Sequence, residues 1–176
     1  MLDKILTTLF GSQNERDVKK LKPILKAVNS KEEWAKSLSA EDFPKQTAIF
    51  KERLAKGETL DDILPEAFAV AREAAYRVLG ERAYDVQIMG SLVLHSGRIT
   101  EMKTGEGKTL MCVAAAYLNS LSGKGVHIVT VNDYLAERDA NWMRPVYAYM
   151  GQTVGSILSN MDNEARRQAY ACDITY

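Results

Sequence analysis

The fold is decided by residues 99–131, which read ITEMKTGEGKTLMCVAAAYLNSLSGKGVHIVTV. The run ITEM at 99–102 predicts a short strand, and the apolar spacing of residues 108–121 predicts a helix. The continuous apolar run VHIVTV at 126–131 is typical of a strand that is buried on both faces of a parallel sheet. A strand, a glycine-rich turn, a helix and a second strand in this order predict a β-α-β unit.

The same alternation continues toward the end of the sequence. Residues 134–150 and 162–171 are predicted helices, residues 153–158 a predicted strand, and DITY at 173–176 the start of another. Strands that alternate with helices predict a parallel sheet with right-handed crossovers. We therefore expect residues 99–176 to be the first part of an α/β domain whose sheet is incomplete, because the sequence stops as a strand begins.

Upstream of this unit the pattern is helical. Residues 1–80 predict an all-helical N-terminal region that begins with an amphipathic helix at 2–10. This helix has two interpretations: it inserts into an anionic membrane interface together with the lysines of residues 19–22, or it packs on a neighbouring domain or a second protomer. Residues 81–98 are expected to link the helical region to the α/β domain.

The turn between the first predicted strand and helix carries the candidate chemistry: Thr104, Gly105, Glu106, Gly107, Lys108 and Thr109. It resembles a P-loop in the T-G-x-G-K-T form of helicase-like motor ATPases, which predicts a P-loop domain of the RecA or helicase-like type. Two glycines allow a tight turn whose N–H groups converge on phosphate. Lys108 and Thr109 are the candidate catalytic residues, the lysine reaching the terminal phosphates of ATP and the threonine hydroxyl ligating Mg²⁺. The alternative is a turn with a capping Lys-Thr pair and no ligand.

A second candidate site lies upstream of this turn, in the segment YDVQ at 84–87. In the helicase-like motors that the turn resembles, a glutamine upstream of the phosphate loop reads the edge of adenine. The resemblance implies this role for the Gln87 amide and makes the nearby Tyr84 ring a candidate to stack on the base. Both residues have ordinary alternatives, since a lone glutamine is commonly a surface residue and a tyrosine a core residue. With the phosphate loop downstream, we predict that both contact the base of a nucleotide.

Charge and composition exclude several classes of protein. The chain has 176 residues with 23 basic and 23 acidic side chains, which argues against coating nucleic acid by bulk charge. The charge is uneven, because residues 1–30 carry six basic and three acidic side chains and residues 31–95 carry nine and twelve. Cys112 and Cys172 match no metal-site spacing. No apolar run is long enough to span a membrane, and no signal peptide is recognisable.

Longer stretches resemble one family in register along essentially the whole sequence. They are LFGSQNERDVKKLKPI at 9–24, LPEAFAVAREAAYRVLG at 64–80, DVQIMGSLVLHSGRITEMKTGEGKTL at 85–110, GKGVHIVTVNDYLAERDANWM at 123–143 and YACDITY at 170–176. In these stretches the chain is similar to the SecA family, the preprotein translocase motors of bacteria. The resemblance aligns Gln87 with the adenine-reading glutamine of the family and residues 105–109 with its phosphate loop.

The resemblance also aligns residues 130–136 with a second motif of the family. Asp133, and Arg138 beside the motif, are candidate network residues there. The alternative is that Asn132 or Asp133 simply caps the helix that follows.

For function, the resemblance implies an ATPase that couples ATP hydrolysis to the passage of unfolded preproteins through a SecY-type channel. It implies a place in the cytoplasm and, peripherally, on the inner face of the plasma membrane. Anionic lipid would be contacted through residues 1–10 and nearby lysines. No specific nucleic-acid partner is expected, and a homodimer is left open.

Several parts of such a motor are absent from the sequence. An acidic pair that holds Mg²⁺, a second motor domain with its arginine finger and a preprotein-binding domain are not found. We therefore expect this chain by itself to bind nucleotide weakly and without efficient turnover. Two other classes stay open: a nucleic-acid helicase of related architecture, and a non-catalytic nucleotide-binding fragment.

Overall fold

The computed structural model describes residues 12–176. The amphipathic helix predicted at 2–10 therefore lies outside the described residues. Within that range, the helices that precede the glycine-rich turn are α1 (Gln13–Ser30), α2 (Glu32–Ser37), α3 (Asp42–Ala55), α4 (Leu60–Leu79) and α5 (Asp85–His95). The predicted helical character of the N-terminal region is confirmed for residues 12–80.

Local sequence sets the ends of the two long helices. α1 begins at a capping box, in which the Ser12 hydroxyl accepts the Glu15 N–H and the Glu15 carboxylate accepts the Ser12 N–H. α4 begins with the same motif, built from Thr59 and Asp62. It ends at Gly80, whose φ of 72° lies in the left-handed region that favours glycine.

The second half of the chain is a parallel sheet with helices between its strands. Its elements are α6 (Lys108–Ser120), β1 (Val126–His127), α7 (Asp133–Tyr149), β2 (Val154–Gly155), α8 (Asn163–Tyr170) and β3 (Ile174–Thr175). The strand order is β1-β3-β2, and Ile174 pairs in parallel with Val126 on one side and Val154 on the other. The predicted α/β class, a parallel sheet preceded by helices, is confirmed within residues 12–176.

Strand lengths differ from the predictions. Residues 99–102 form no strand, so that prediction is wrong, and the strands predicted at 126–131 and 153–158 shorten to two residues each. Ile99, Val129 and Val131 are 97%, 92% and 87% exposed. β-branched residues favour extended backbone, but a strand also needs a neighbour for its backbone hydrogen bonds. Within residues 12–176, segments 99–102 and 129–131 have no such neighbour.

The segment expected to be a linker, residues 81–98, contains helix α5. Ile88 and Leu92 on this helix are buried. A Cβ atom built on Gly90 would lie 2.9 Å from Cγ of Met111, so α5 approaches α6 closely at this glycine. The segment is therefore a packed helix beside the glycine-rich turn and not an extended connection.

A continuous hydrophobic core joins both halves of the described chain. α4 runs through it and packs against α1, α6 and α7. The Thr47 hydroxyl adds a buried polar link between the halves, because it lies 2.6 Å from both the Tyr117 hydroxyl and the Met150 carbonyl oxygen. None of the helices within residues 12–176 combines the length and apolarity needed to cross a membrane.

Candidate functional site

A cleft of about 810 Å³ lies beside the glycine-rich turn. Its walls come from α1, the segment between α4 and α5, α5, residues 100–102, the turn itself and Leu110 of α6. Five of the predicted site residues line it: Tyr84, Gln87, Gly105, Glu106 and Gly107. The structure therefore brings the residues predicted to contact adenine and the glycine part of the turn to one cavity, whereas Thr104, Lys108 and Thr109 do not line it.

Two glycines shape the turn that precedes α6. Gly105 and Gly107 have φ angles of 85° and 77°, which residues with a side chain adopt only at a cost in free energy. The turn is closed by reciprocal hydrogen bonds. The Lys103 N–H donates to the Glu106 carboxylate at 2.7 Å, and the Glu106 N–H donates to the Lys103 carbonyl oxygen at 3.3 Å.

Several backbone donors of this turn are left without a protein acceptor. Within the described residues, the N–H groups of Gly105, Gly107, Lys108 and Thr109 donate no hydrogen bond. Lys108 and Thr109 open α6, where N–H groups have no partner inside the helix. Free N–H groups at the positive end of a helix dipole make the turn suited to bind an anion.

The Lys108 side chain folds back onto the same turn. Its Nζ atom donates to the carbonyl oxygens of Met102 and Lys103 at 3.0 and 2.9 Å. An ammonium group has three donors, so one is left for a further acceptor. The side chain thus adds a positive charge beside the free N–H groups, and it also caps the turn as the alternative interpretation expects.

Thr109, the predicted metal ligand, belongs to no cluster of metal-binding side chains within the described residues. Thr109 is half-buried on the first turn of α6, and Thr104 is exposed ahead of it. Within residues 12–176, no group of three or more His, Cys, Asp or Glu side chains is arranged to hold a metal ion. Mg²⁺ commonly uses one or two protein oxygens together with phosphate oxygens and water, so the Thr109 hydroxyl fits as one ligand of a nucleotide-bound ion.

The Gln87 amide joins the two sides of the cleft. Gln87 is only 6% exposed, so the interpretation as a free surface glutamine is wrong. Its Oε1 accepts the Tyr84 N–H at 2.8 Å, and its Nε2 donates to the Glu106 carbonyl oxygen at 3.0 Å. A Cβ atom on Gly107 would lie 2.3 Å from Nε2, so this close approach requires glycine. Gln87 is thereby held against the phosphate-loop candidate from the first turn of α5.

Tyr84 lies at the rim of the cleft as the N-cap residue of α5. It is 73% exposed, so the alternative of a core tyrosine is wrong. Its backbone N–H is committed to Gln87, whereas its ring is free to contact a ligand in the cleft. Base stacking by this ring stays a prediction.

The second motif lies away from the cleft, beside a separate cavity of about 330 Å³. The Asp133 carboxylate accepts hydrogen bonds from the Ser159 N–H and hydroxyl, and these bonds lower the pKa of that carboxyl. Arg138 pairs with the adjacent Asp139 at 2.6 Å. Asn132 caps α7, because its Oδ1 accepts the Leu135 N–H at 2.9 Å. The alternative that Asn132 caps the helix is therefore confirmed. Within the described residues, Asp133 and Arg138 do not contact the phosphate-loop candidate.

Three lining residues of the cleft could not be predicted from the sequence. Val18 and Leu21 of α1 close one side, and Arg82 lies between α4 and α5. Arg82 is itself fixed by hydrogen bonds of 3.2 and 2.6 Å to the Glu32 carboxylate. These residues reach the cleft through packing between distant segments, and their local sequence carries no signal of it.

Comparison with known proteins finds a family model and relatives that carry the same family name. A family model described as the SecA DEAD-like domain matches residues 6–176. The Protein translocase subunit SecA of Treponema denticola is 72% identical over 176 residues, and that of Treponema pallidum is 70% identical over 171 residues. The same-named protein of Leptospira biflexa is 62% identical over 176 residues.

These matches cover 100%, 97% and 100% of the chain, respectively, but only 19% of each relative. The chain therefore spans about a fifth of the length of the curated relatives it matches.

Proposed function

The chain belongs to the SecA DEAD-like family, and from this membership and the geometry of the cleft we propose that it is the ATP-binding N-terminal part of a protein-translocating motor ATPase. The observation that carries the proposal is a single contact. The Gln87 amide binds the Glu106 carbonyl oxygen at 3.0 Å, so the predicted base reader and the phosphate loop face one cavity.

On this proposal, the phosphates of ATP accept from the free N–H groups of Gly105, Gly107, Lys108 and Thr109. Each N–H is preorganised by the turn, so binding requires little rearrangement of the backbone. Lys108 turns its ammonium from the Met102 and Lys103 carbonyl oxygens toward the terminal phosphates. This exchange replaces neutral acceptors with charged ones, which make stronger hydrogen bonds.

The base of ATP occupies the part of the cleft next to Gln87. An amide oxygen has two lone pairs and an amide nitrogen two hydrogens, so the contacts to Tyr84 and Glu106 leave capacity for the adenine edge. The Tyr84 ring supplies a stacking surface at the rim. Adenine and guanine differ in their donors and acceptors along this edge, and we therefore propose that Gln87 sets a preference for ATP over GTP.

Thr109 would supply one oxygen ligand to a Mg²⁺ ion bound together with the nucleotide. When bound, the ion would neutralise charge on the phosphates. Efficient hydrolysis also needs a metal-holding carboxylate, a positioned water and a charge that stabilises the transition state. We propose that the chain by itself binds ATP weakly without efficient turnover, and that hydrolysis belongs to the longer protein of this family.

The wider proposal concerns translocation. The longer protein would move unfolded preproteins through a SecY-type channel, working from the cytoplasm and from the inner face of the plasma membrane. Residues 1–10, together with the exposed lysines Lys19, Lys20 and Lys22 of α1, would contact anionic lipid. Flotation with anionic liposomes before and after deletion of residues 1–10 tests this part, and unchanged flotation would rule it out. Formation of a homodimer is tested by measuring the mass of the chain by sedimentation in the absence of liposomes.

Nucleotide binding is tested by calorimetry of the 176-residue chain with ATP, GTP and inorganic tripolyphosphate. We expect ATP to bind more tightly than GTP, and Gln87→Ala to remove that preference while leaving tripolyphosphate binding unchanged. Steady turnover by the chain alone would contradict the proposed lack of hydrolysis. Turnover stimulated by RNA would instead favour a nucleic-acid helicase.

A further inference from the structure

Arg72 is a buried cation that no part of the proposed chemistry uses. It lies in α4 and is only 4% exposed. Burying a guanidinium is costly unless its donors are paired. All three of its nitrogens are paired here, and each one bonds to a different residue.

The partners of Arg72 surround the turn that leads into α5. Its Nε donates to the Ala83 carbonyl oxygen at 2.7 Å, and its Nη2 to the Asp85 carboxylate at 2.7 Å. Its Nη1 donates to the Asn29 side-chain oxygen of α1 at 2.7 Å. Asn29 in turn donates to Asp85 at 3.2 Å, so Arg72, Asn29 and Asp85 form one closed network.

Ala83 and Asp85 are the immediate neighbours of Tyr84 in the sequence. Fixing both neighbours fixes the backbone of Tyr84, whose N–H holds the Gln87 amide at 2.8 Å. That amide then reaches the Glu106 carbonyl oxygen across the cleft. Hydrogen bonds, together with the backbone of residues 83–85, thus connect α4 to the phosphate loop through Tyr84 and Gln87.

We infer that Arg72 is a positioning residue that sets the adenine side of the cleft. It touches no ligand itself, because it is not among the residues that line the cavity. Its guanidinium holds the Tyr84–Gln87 turn at the place from which the Gln87 amide meets the base. The inference rests on the proposed nucleotide binding and adds to it the residue on which base preference depends.

Arg77 offers a matched control on the same helix. Its guanidinium donates to the Glu73 carboxylate at 2.7 Å and to the carbonyl oxygens of Leu38 and Lys36 at 2.8 and 2.9 Å. It therefore makes three hydrogen bonds, as Arg72 does, and two of them tie α4 to the segment of Lys36 and Leu38. Its described partners line no part of the cleft. Loss of Arg77 should reduce stability without reaching Gln87.

The experiment measures dissociation constants of the 176-residue chain for ATP, GTP and inorganic tripolyphosphate in wild type, Arg72→Met, Arg72→Lys and Arg77→Met. We expect Arg72→Met to reduce the ATP-over-GTP preference about tenfold, the loss expected for a charge-assisted tether. Tripolyphosphate binding should not change. The ATP-over-GTP preference of Arg72→Lys should lie between those of wild type and Arg72→Met, because an ammonium cannot hold three partners with the fork geometry of a guanidinium.

A second readout is the side-chain amide resonance of Gln87, which we expect to shift in Arg72→Met and to stay in place in Arg77→Met. If Arg72→Met does not fold, Arg72→Lys and Asp85→Asn carry the same comparison. Base preference retained in the folded Arg72 variants, or lost equally in Arg77→Met, would overturn the inference while leaving nucleotide binding intact. A wild-type chain with no ATP-over-GTP preference would overturn the proposed base recognition itself and the inference with it.

Discussion

The two sides of the cleft are built in different ways. On the phosphate side, the contacts that shape the turn join residues no more than six positions apart, as in the bonds from Lys108 to Met102 and from Lys103 to Glu106. On the base side, Arg72 reaches Ala83 eleven residues away and Asn29 forty-three residues away. The phosphate side is thus a local structure, whereas the base side depends on the packing of the whole helical region.

The contrast predicts that each side fails separately. Changes in the turn should weaken every ligand that carries phosphates, whatever its base. Changes in the helical support should alter base preference and leave phosphate binding in place. The bond from Gln87 to Glu106 joins the two sides, and a side chain added at Gly107, which lies in the loop and beside the Gln87 amide, should affect both.

The largest effect is expected from Lys108→Ala. Loss of a charged donor to phosphate should weaken ATP and tripolyphosphate alike, by about a hundredfold. Calorimetry with both ligands measures this. Lys103→Ala is the matched control, because Lys103 contributes only backbone atoms to the turn contacts described here. Equal losses in the two variants would show that general positive charge, and not the position of Lys108, holds the phosphates.

The next effect is expected from Gly107→Ala. Both Gly105 and Gly107 have positive φ, so alanine at either position strains the backbone. At Gly107 the new Cβ also lies 2.3 Å from the Gln87 amide nitrogen, whereas at Gly105 it meets no atom within 4 Å. We expect Gly107→Ala to lose about tenfold more of the ATP-over-GTP preference than Gly105→Ala, since a displaced amide forfeits its hydrogen bonds. If the two variants lose the base preference equally, the hydrogen bond from Gln87 to Glu106 does not contribute to base recognition.

Acid should weaken the contact between Arg72 and Asp85 that supports the base side of the cleft. The hydrogen bond from Arg72 lowers the pKa of the Asp85 carboxyl below its usual 3.8. Because the folded pKa is the lower one, this contact stabilises the fold fully above pH 3.8, and the stabilisation is lost as the pH falls through the lowered value. In Arg72→Met the Asp85 pKa should rise toward 3.8, as carboxyl NMR titration will show.

Asp133 is the control for that titration. Its pKa is lowered by Ser159 and not by Arg72, so it should be the same in wild type and Arg72→Met. If the pKa of Asp133 moves as far as that of Asp85, the substitution has disturbed the fold generally.

The smallest effect is expected from Thr109→Val. Thr109 contributes one oxygen among the several ligands of a nucleotide-bound ion, so the gain in ATP affinity on adding Mg²⁺ should fall by only about threefold. Binding without Mg²⁺ should be unchanged. Thr104→Val is the control, because Thr104 is exposed before the loop. If adding Mg²⁺ raises the ATP affinity of Thr109→Val as much as that of wild type, Thr109 does not ligate the ion.

The same contrast explains what the sequence could predict. The glycine turn and the start of α6 at Lys108 lie where the motif predicts, because such a turn is encoded by adjacent residues. Phosphate binding by this turn stays a prediction. The parallel orientation of the short strands was also predicted, from the alternation of helical and β-branched runs along the sequence. In both cases the signal is local or periodic.

The failures are the features that depend on distant partners. The strand predicted at 99–102 lacks a neighbour within the described residues, and β-branched side chains alone do not make one. Residues 81–98 read as a linker, yet Ile88 and Leu92 pack α5 into the core. Arg72 supports the base side through Asn29, Ala83 and Asp85, and these partners could not be inferred from its neighbours in the sequence.

The central claim is that one cleft holds adenine beside Gln87 and phosphates on the loop of residues 105–109. An NMR titration of the chain with ATP, compared with inorganic tripolyphosphate, tests it most directly. ATP should shift the Gln87 side-chain amide together with the backbone amides of Gly105 and Gly107. Tripolyphosphate should shift the glycine amides and move the Gln87 resonance much less. Equal shifts of Gln87 with both ligands, or ATP-induced shifts confined to the cavity near Asn132 and Asp133, would contradict the account.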